Sequence, residues 1–243
     1  MALRFLLPVT VLALFLFSCG EETNVNEADS AFIDSMLNAH SNSVLDTSAM
    51  RTAPDTEFHT ALPTVFDGDI IMQNIDSKQT LLMHDLMGGK YNHVGLIYQR
   101  KKDGILMVIE MRDSVRMTPL TEFVDRSGGH VCVLRLKEAN KTLTEEKVKA
   151  LREAAKVYKD ASFDPVLNWD DSHLYNSELV WKIYNNAMRL TLCPTRKVSD
   201  FNISTDKQNE LAKTYGGVVS PKDEAVSLDD IYNSQKLEII HEK

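Results

Sequence analysis

Two apolar runs joined by an Asp-Gly turn, NHVGLIYQ-RKKDG-ILMVIEM from Asn92 to Met111, constrain this chain more than any other feature. Asp-Gly between hydrophobic runs favours a tight connection with positive φ, which returns the chain on itself as a β-hairpin. The stretch therefore predicts two neighbouring strands, 92–99 and 105–111. GDIIMQ (68–73) and HVCVLRL (130–136) read as further strands. A helix is expected from Ser77, stopped by Gly88-Gly89. A stronger one is expected in TLTEEKVKALREAAKVYKD, with Thr142 and Glu145 as a capping box and Val148, Leu151, Ala155 and Tyr158 on one face. Another helix begins near Asn176. Strands paired by short hairpins, with helices before and after, indicate an α+β domain with a mainly antiparallel sheet packed against helices.

The N-terminus has a different character. Met1 to Arg4 is a short positive segment, and Phe5 to Phe17 is apolar except for Pro8 and Thr10. That run is short for a membrane span and suits a signal peptide. It ends in LFSCG, which resembles a bacterial lipobox and implies cleavage before Cys19 with lipidation of that thiol. An ordinary signal peptide with a chance cysteine is the plainer alternative. Residues 20–64 are mostly small, polar and acidic, with one short amphipathic turn pair at Phe32, Ile33, Met36 and Leu37. The expected organisation is a leader over 1–19, a tether over 20–64 and a folded domain over 65–243. The expected location is the cell envelope, on its periplasmic or surface side, with the membrane reached through a lipid anchor. The formal net charge of −8, without a clustered basic stripe, argues against nucleic acid as a partner. Cys132 lies in a strand-like run and Cys193 follows a helix, so they read as free thiols rather than a disulfide.

The hairpin also brings chemistry together. Thiol hydrolases need a thiolate, a base for its proton and a third group that orients the base. His93 begins the first predicted strand and Glu110 nearly ends the second. Adjacent strands would hold the two side by side, facing the start of a helix, where a dipole acidifies a thiol. A carboxylate in an apolar run requires a partner, and His93 is the nearest.

GDIIMQ, YNHVGLIY, the Glu110 strand and YNSELVWKIY, in that order, resemble the circularly permuted papain-like hydrolases of the NlpC-related superfamily, in their YiiX-like branch. The resemblance runs from about Phe66 to SLDDIY near Tyr232. It implies a papain-like domain in which His93 is the base and Glu110 the orienter. It implies peptidoglycan stem peptides, or a related amide, as the ligand, with Gln73 and Tyr175 as substrate contacts and with neither metal nor cofactor. Tyr175 could equally pack. The family's phrase reads YCSELVWK, and where the family carries its nucleophilic Cys this chain carries Asn176.

Two functions stay open. One is a hydrolase lineage that is inactive or altered because Asn cannot supply a thiolate. The other is a binding protein on the same scaffold. Asn176 is also a good helix N-cap, which alone explains that residue. Ser177 points elsewhere on the helix. Trp169 to His173, WDDSH, reads as a solvated turn rather than a metal site. The leader generates the first prediction. The mature chain should begin at Cys19 and partition with membranes, and Cys19→Ser should abolish both properties. A serine variant that is processed and retained like the native chain would refute the reading, as shown by fractionation and N-terminal mass analysis.

Overall fold

A computed structural model describes residues 62–243. The leader, Cys19 and nearly all of the tether lie outside the described residues. In chain order the elements are β1 (Ile70–Gln73), α1 (Lys78–Met87), β2 (His93–Gln99), β3 (Leu106–Met111), β4 (Val115–Pro119), α2 (Leu120–Asp125), β5 (Val131–Leu136), α3 (Ala139–Thr142) and α4 (Glu145–Val157). The second half contributes β6 (Ser162–Phe163), β7 (His173–Leu174), α5 (Asn176–Met188), β8 (Arg196–Lys197), α6 (Thr205–Tyr215), β9 (Glu224–Ala225), α7 (Leu228–Tyr232) and β10 (Leu237–Glu242).

Six strands form one sheet in the order β10-β5-β1-β2-β3-β4, and every neighbouring pair is antiparallel. Alternate residues of a strand face opposite sides, and the two sides differ here. Ile71, Ile97, Val108, Val131 and Val133 form a small cluster under Leu120 and Phe123 of α2. Ile70, Met72, Val94, Leu96, Ile109, Cys132 and Leu134 face the other way. They form the main core with residues of α1, α4, α5 and α7. α5 is the axis of that core: Leu179, Val180, Ile183 and Tyr184 are wholly buried. The Tyr184 hydroxyl donates to the Gly68 carbonyl, tying the helix to the entry of β1.

The predicted hairpin is present. β2 and β3 pair from Gly95↔Glu110 to Gln99↔Leu106. Gly104 takes φ +73°, a conformation that favours glycine, and Asp103 grips Arg100 at 2.9 and 2.6 Å. The helix from Ser77 is capped by that residue, whose Oγ accepts from the Thr80 amide at 3.2 Å. Gly88 ends it at φ +68°. The expected capping box at Thr142 and Glu145 is not formed. Thr142 closes the short turn α3, and Thr144 caps α4, accepting from the Lys147 amide at 3.4 Å. A cap at Thr144 places both Glu145 and Glu146 in the first turn, where the helix dipole favours them.

Gly95 shows why a strand centre lacks a side chain. A Cβ there would lie 2.2 Å from Val108 Cγ1 and 2.9 Å from the Ile109 carbonyl oxygen of β3. The second contact is backbone and cannot yield. Gly95→Ala should therefore lower stability by about 1–3 kcal/mol, as measured by urea unfolding. A variant as stable as the native chain would show that β2 and β3 are not so closely apposed.

Candidate active site

His93, Gly95 and Ile97 share the face of β2 that looks toward α2. Glu110 lies directly across from Gly95, so it meets no side chain there. Its carboxylate instead reaches His93, with Nε2 2.5 Å from Oε2. Both residues are buried, at 1% and 0% exposure. Thr118 Oγ1 of β4 donates to Oε1 of the same carboxylate. Arg126, just past α2, sets one guanidinium nitrogen 2.8 Å from each oxygen. Phe123 of α2 stacks on the His93 ring at 5.6 Å and 24°, and the Arg126 guanidinium lies 5.0 Å from the Phe123 ring centre.

Burial pushes the Glu110 carboxyl up. The His93 hydrogen bond and the charges of His93 and Arg126 push it down harder, and the carboxyl is held at about 2. A carboxylate only accepts, so Nε2 of His93 carries the hydrogen between them. In the neutral ring Nδ1 is then the acceptor, and it is buried without a hydrogen-bond partner. Gln73 stands directly opposite His93 in the β1–β2 ladder. It is fully buried, and neither atom of its amide has a partner.

Asn176 occupies the first position of α5. Tyr175, not Asn176, is the N-cap residue. The Asn176 carboxamide is nonetheless committed twice. Its Nδ2 donates to the Asn92 carbonyl at 2.9 Å, and its Oδ1 accepts from the Ser177 amide at 2.7 Å. The first bond ties the helix start to the residue before His93. The pair does not face the start of α5, as its place on the hairpin suggests, but α2, because the body of α5 packs on the opposite side of the sheet; the two parts meet at the entry of β2, through Asn92. Tyr175 is wholly buried, and its hydroxyl accepts from the Val226 amide at 2.9 Å. It packs in the core and does not line an open cleft.

The rest of this phrase is structural. Ser177 Oγ donates to the Val226 carbonyl at 2.8 Å. Glu178 accepts from the Tyr175 amide at 3.4 Å and pairs with Lys182 at 2.9 Å. Burial raises its carboxyl well above the ordinary value despite that lysine. Trp181 donates to the Cys193 carbonyl at 2.9 Å and meets Trp169 edge-on. Asp170 accepts the amides of Ser172 and His173, making WDDSH a turn. Cys132 and Cys193 are free and buried, and burial pushes each thiol up to about 12. Neither is a ready nucleophile. Thr118 and Arg126 were not foreseen. Arg126 sits in DRSGGH, which reads as an ordinary polar turn, and nothing in its spacing marks it.

A helix start bonded to an antiparallel sheet, and a buried His–Glu pair on adjacent strands of that sheet, are the parts of a papain-like hydrolase domain. The chain belongs to the permuted papain-like amidase enzymes, the YaeF/YiiX, C92 family, whose model matches residues 64–241. Protein YiiX of Escherichia coli (strain K12) is 29% identical over 171 residues, covering 70% of this chain and 83% of that protein. The crystal structure of metalloprotein yiiX from Escherichia coli O157:H7 superposes with a TM-score of 0.63 at 27% identity. The likeness covers 73% of this chain and 97% of that one.

Glu110 makes stability depend on pH. Its ordinary value is 4.5 and its folded value about 2, so the unfolded chain binds more protons in between. The stabilisation is complete above the ordinary value and is lost as pH falls through the folded value. Glu110→Gln should remove this dependence and cost about 3–5 kcal/mol at neutral pH, because Arg126 loses its buried partner. Urea unfolding at several pH values reads both effects. A variant with the native acid profile would refute the assignment.

Proposed function

We propose that this protein belongs to the amidase lineage of its family but, with Asn176 at the nucleophile position, performs no cysteine-type turnover. One observation carries the reading: a buried His93–Glu110 pair is retained, while the helix start beside it presents a carboxamide already bonded to Asn92 and Ser177. An amide side chain cannot become a thiolate, and its oxygen occupies a helix-terminal N–H that could otherwise stabilise an oxyanion.

The ligand we assign is an amide of the cell wall, a peptidoglycan stem peptide, met at an envelope membrane to which Cys19 anchors the chain. In a Cys form of the site, His93 Nδ1 takes the thiol proton and Glu110 steadies the ring through Nε2. The thiolate attacks the amide carbon, and the proton passes to the departing amine. Water then hydrolyses the thioester with His93 again as base. In the native form the same groups only bind. Gln73 favours this second reading, a non-catalytic amide-binding protein. A fully buried carboxamide without partners is costly, and a ligand amide offers the donor and acceptor it lacks.

The similar protein from Escherichia coli O157:H7 is described as a metalloprotein. Among the described residues here, no three His, Cys, Asp or Glu side chains converge where an ion could be held. The residues do not fit a metal site, and no step is assigned to one.

The test is Asn176→Cys. It should label with a thiol-reactive acyl probe at residue 176 and cleave purified muropeptides. The native chain should show at most the roughly 10³- to 10⁴-fold acceleration over water that binding and oxyanion donors leave when a triad is broken. Robust native turnover that survives His93→Ala would overturn the proposal.

A further inference from the structure

We propose that Arg126 is a positioning residue that holds the His93–Glu110 pair in a single proton arrangement, with a carboxylate facing Nε2–H and Nδ1 left as an acceptor. The inference rests on the reading of this site given above, and it concerns a residue to which that reading assigns no role.

The geometry is specific. One nitrogen of Arg126 lies at equal distances, 2.8 Å, from the two oxygens of Glu110. Thr118 takes Oε1 and His93 takes Oε2. The carboxylate is thus held from β2, from β4 and from the end of α2, and it cannot rotate without breaking a bond. Arg126, Phe123 and His93 also form one stack, guanidinium on ring on ring. The arginine is placed by the end of α2, where its amide donates to the Glu122 carbonyl at 3.3 Å. Gly128 and Gly129 then turn the chain away at φ +61° and +81°.

The charges decide the proton arrangement. The permanent charge bearing on Glu110 is that of Arg126 past α2; His93 on β2 is its hydrogen-bond partner, and Arg116 is its cross-strand neighbour on β4. Glu110 is fully buried, and an uncompensated carboxylate in that position is costly. Without Arg126 the cheapest compensation is a second proton on His93, which converts Nδ1 from acceptor to donor, or a proton on Glu110 itself. Either outcome removes the acceptor that a thiol or a ligand amide N–H would meet. A permanent guanidinium charge beside the carboxylate removes the need for that proton. Arg126 acts through Glu110, both of whose carboxylate oxygens it contacts.

The experiment is nitrogen and carbon NMR on the native Asn176 chain without ligand, following the His93 ring and the Glu110 carboxyl against pH. At neutral pH the native chain should show one His93 tautomer, protonated at Nε2, and Glu110 should stay ionised down to about pH 2. Arg126→Met keeps the packing on Phe123 and loses the charge. It should raise the Glu110 midpoint by about one to three pH units and bring a proton onto Nδ1. Arg126→Gln should read the same way if the methionine variant does not fold. Arg126→Lys should restore the native signals, which a purely packing role would not predict. Neutral variants that keep the native Glu110 midpoint and the native His93 tautomer at neutral pH would overturn the proposal. No step uses residue 176 or a substrate, so failure of the Asn176→Cys labelling would count against the lineage reading alone.

Discussion

A carboxylate with no exposure to water organises this domain. Glu110 sits near the end of an apolar strand, fully buried, where an ionised group is stable only if the protein supplies what water would have given. Three elements meet that demand: β2 with His93, β4 with Thr118, and the end of α2 with Arg126. The contacts explain why α2, only six residues long, lies where it does. Its Leu120 and Phe123 cover the small cluster on that face, and its end delivers the cation. The same acid that holds the fold together fixes the ring of the residue most capable of moving a proton.

The start of α5 is organised differently. Ser177, Glu178, Trp181 and Lys182 each bond to a different neighbour, from Val226 to Tyr175, Cys193 and the 170–171 turn. These bonds seat the helix against the 225–228 segment and the loop before it. The phrase that most resembles the family is therefore a joint of the scaffold, held mainly by residues other than 176. In the proposed reading this is why one position could change its chemistry without loss of the fold.

Much of this was legible in the sequence. The Asp-Gly turn gave β2 and β3, Ser77 and Gly88 bounded α1, and the order of elements gave the α+β class. The His93–Glu110 proximity followed from the hairpin alone. Other features were hidden for physical reasons. VRMTP alternates apolar and polar residues, but it is five residues long, sits on an edge and ends in proline, which is too little to mark β4 as a strand. LEIIHE is the other edge, and its register shifts between Ile239 and His241, so β10 shows only part of a strand pattern. Thr118 and Arg126 act through distance in space, 8 and 16 residues from Glu110 along the chain. Two threonines two residues apart could each have capped α4, and only the packed structure selects Thr144.

The permuted order has a consequence for assembly. The Asn92–Asn176 bond spans 84 residues, and the bond from Tyr184 to Gly68 spans 116. β5, bonded on one side to β1, receives its other neighbour only from the last strand, β10. A growing chain exposes β1 to β5 well before the helix that covers their main apolar face has been made. At about 5–20 residues per second, that interval lasts seconds. During that time the sheet carries a hydrophobic face that α5 has not yet covered and an open edge, the surfaces on which chains associate wrongly. Contacts this far apart also fold slowly, because long loops must close before their bonds can form. The permuted order thus lengthens the time for which β5 has an unpaired edge and the main core lacks its central helix, a time that an order with the helix first would shorten.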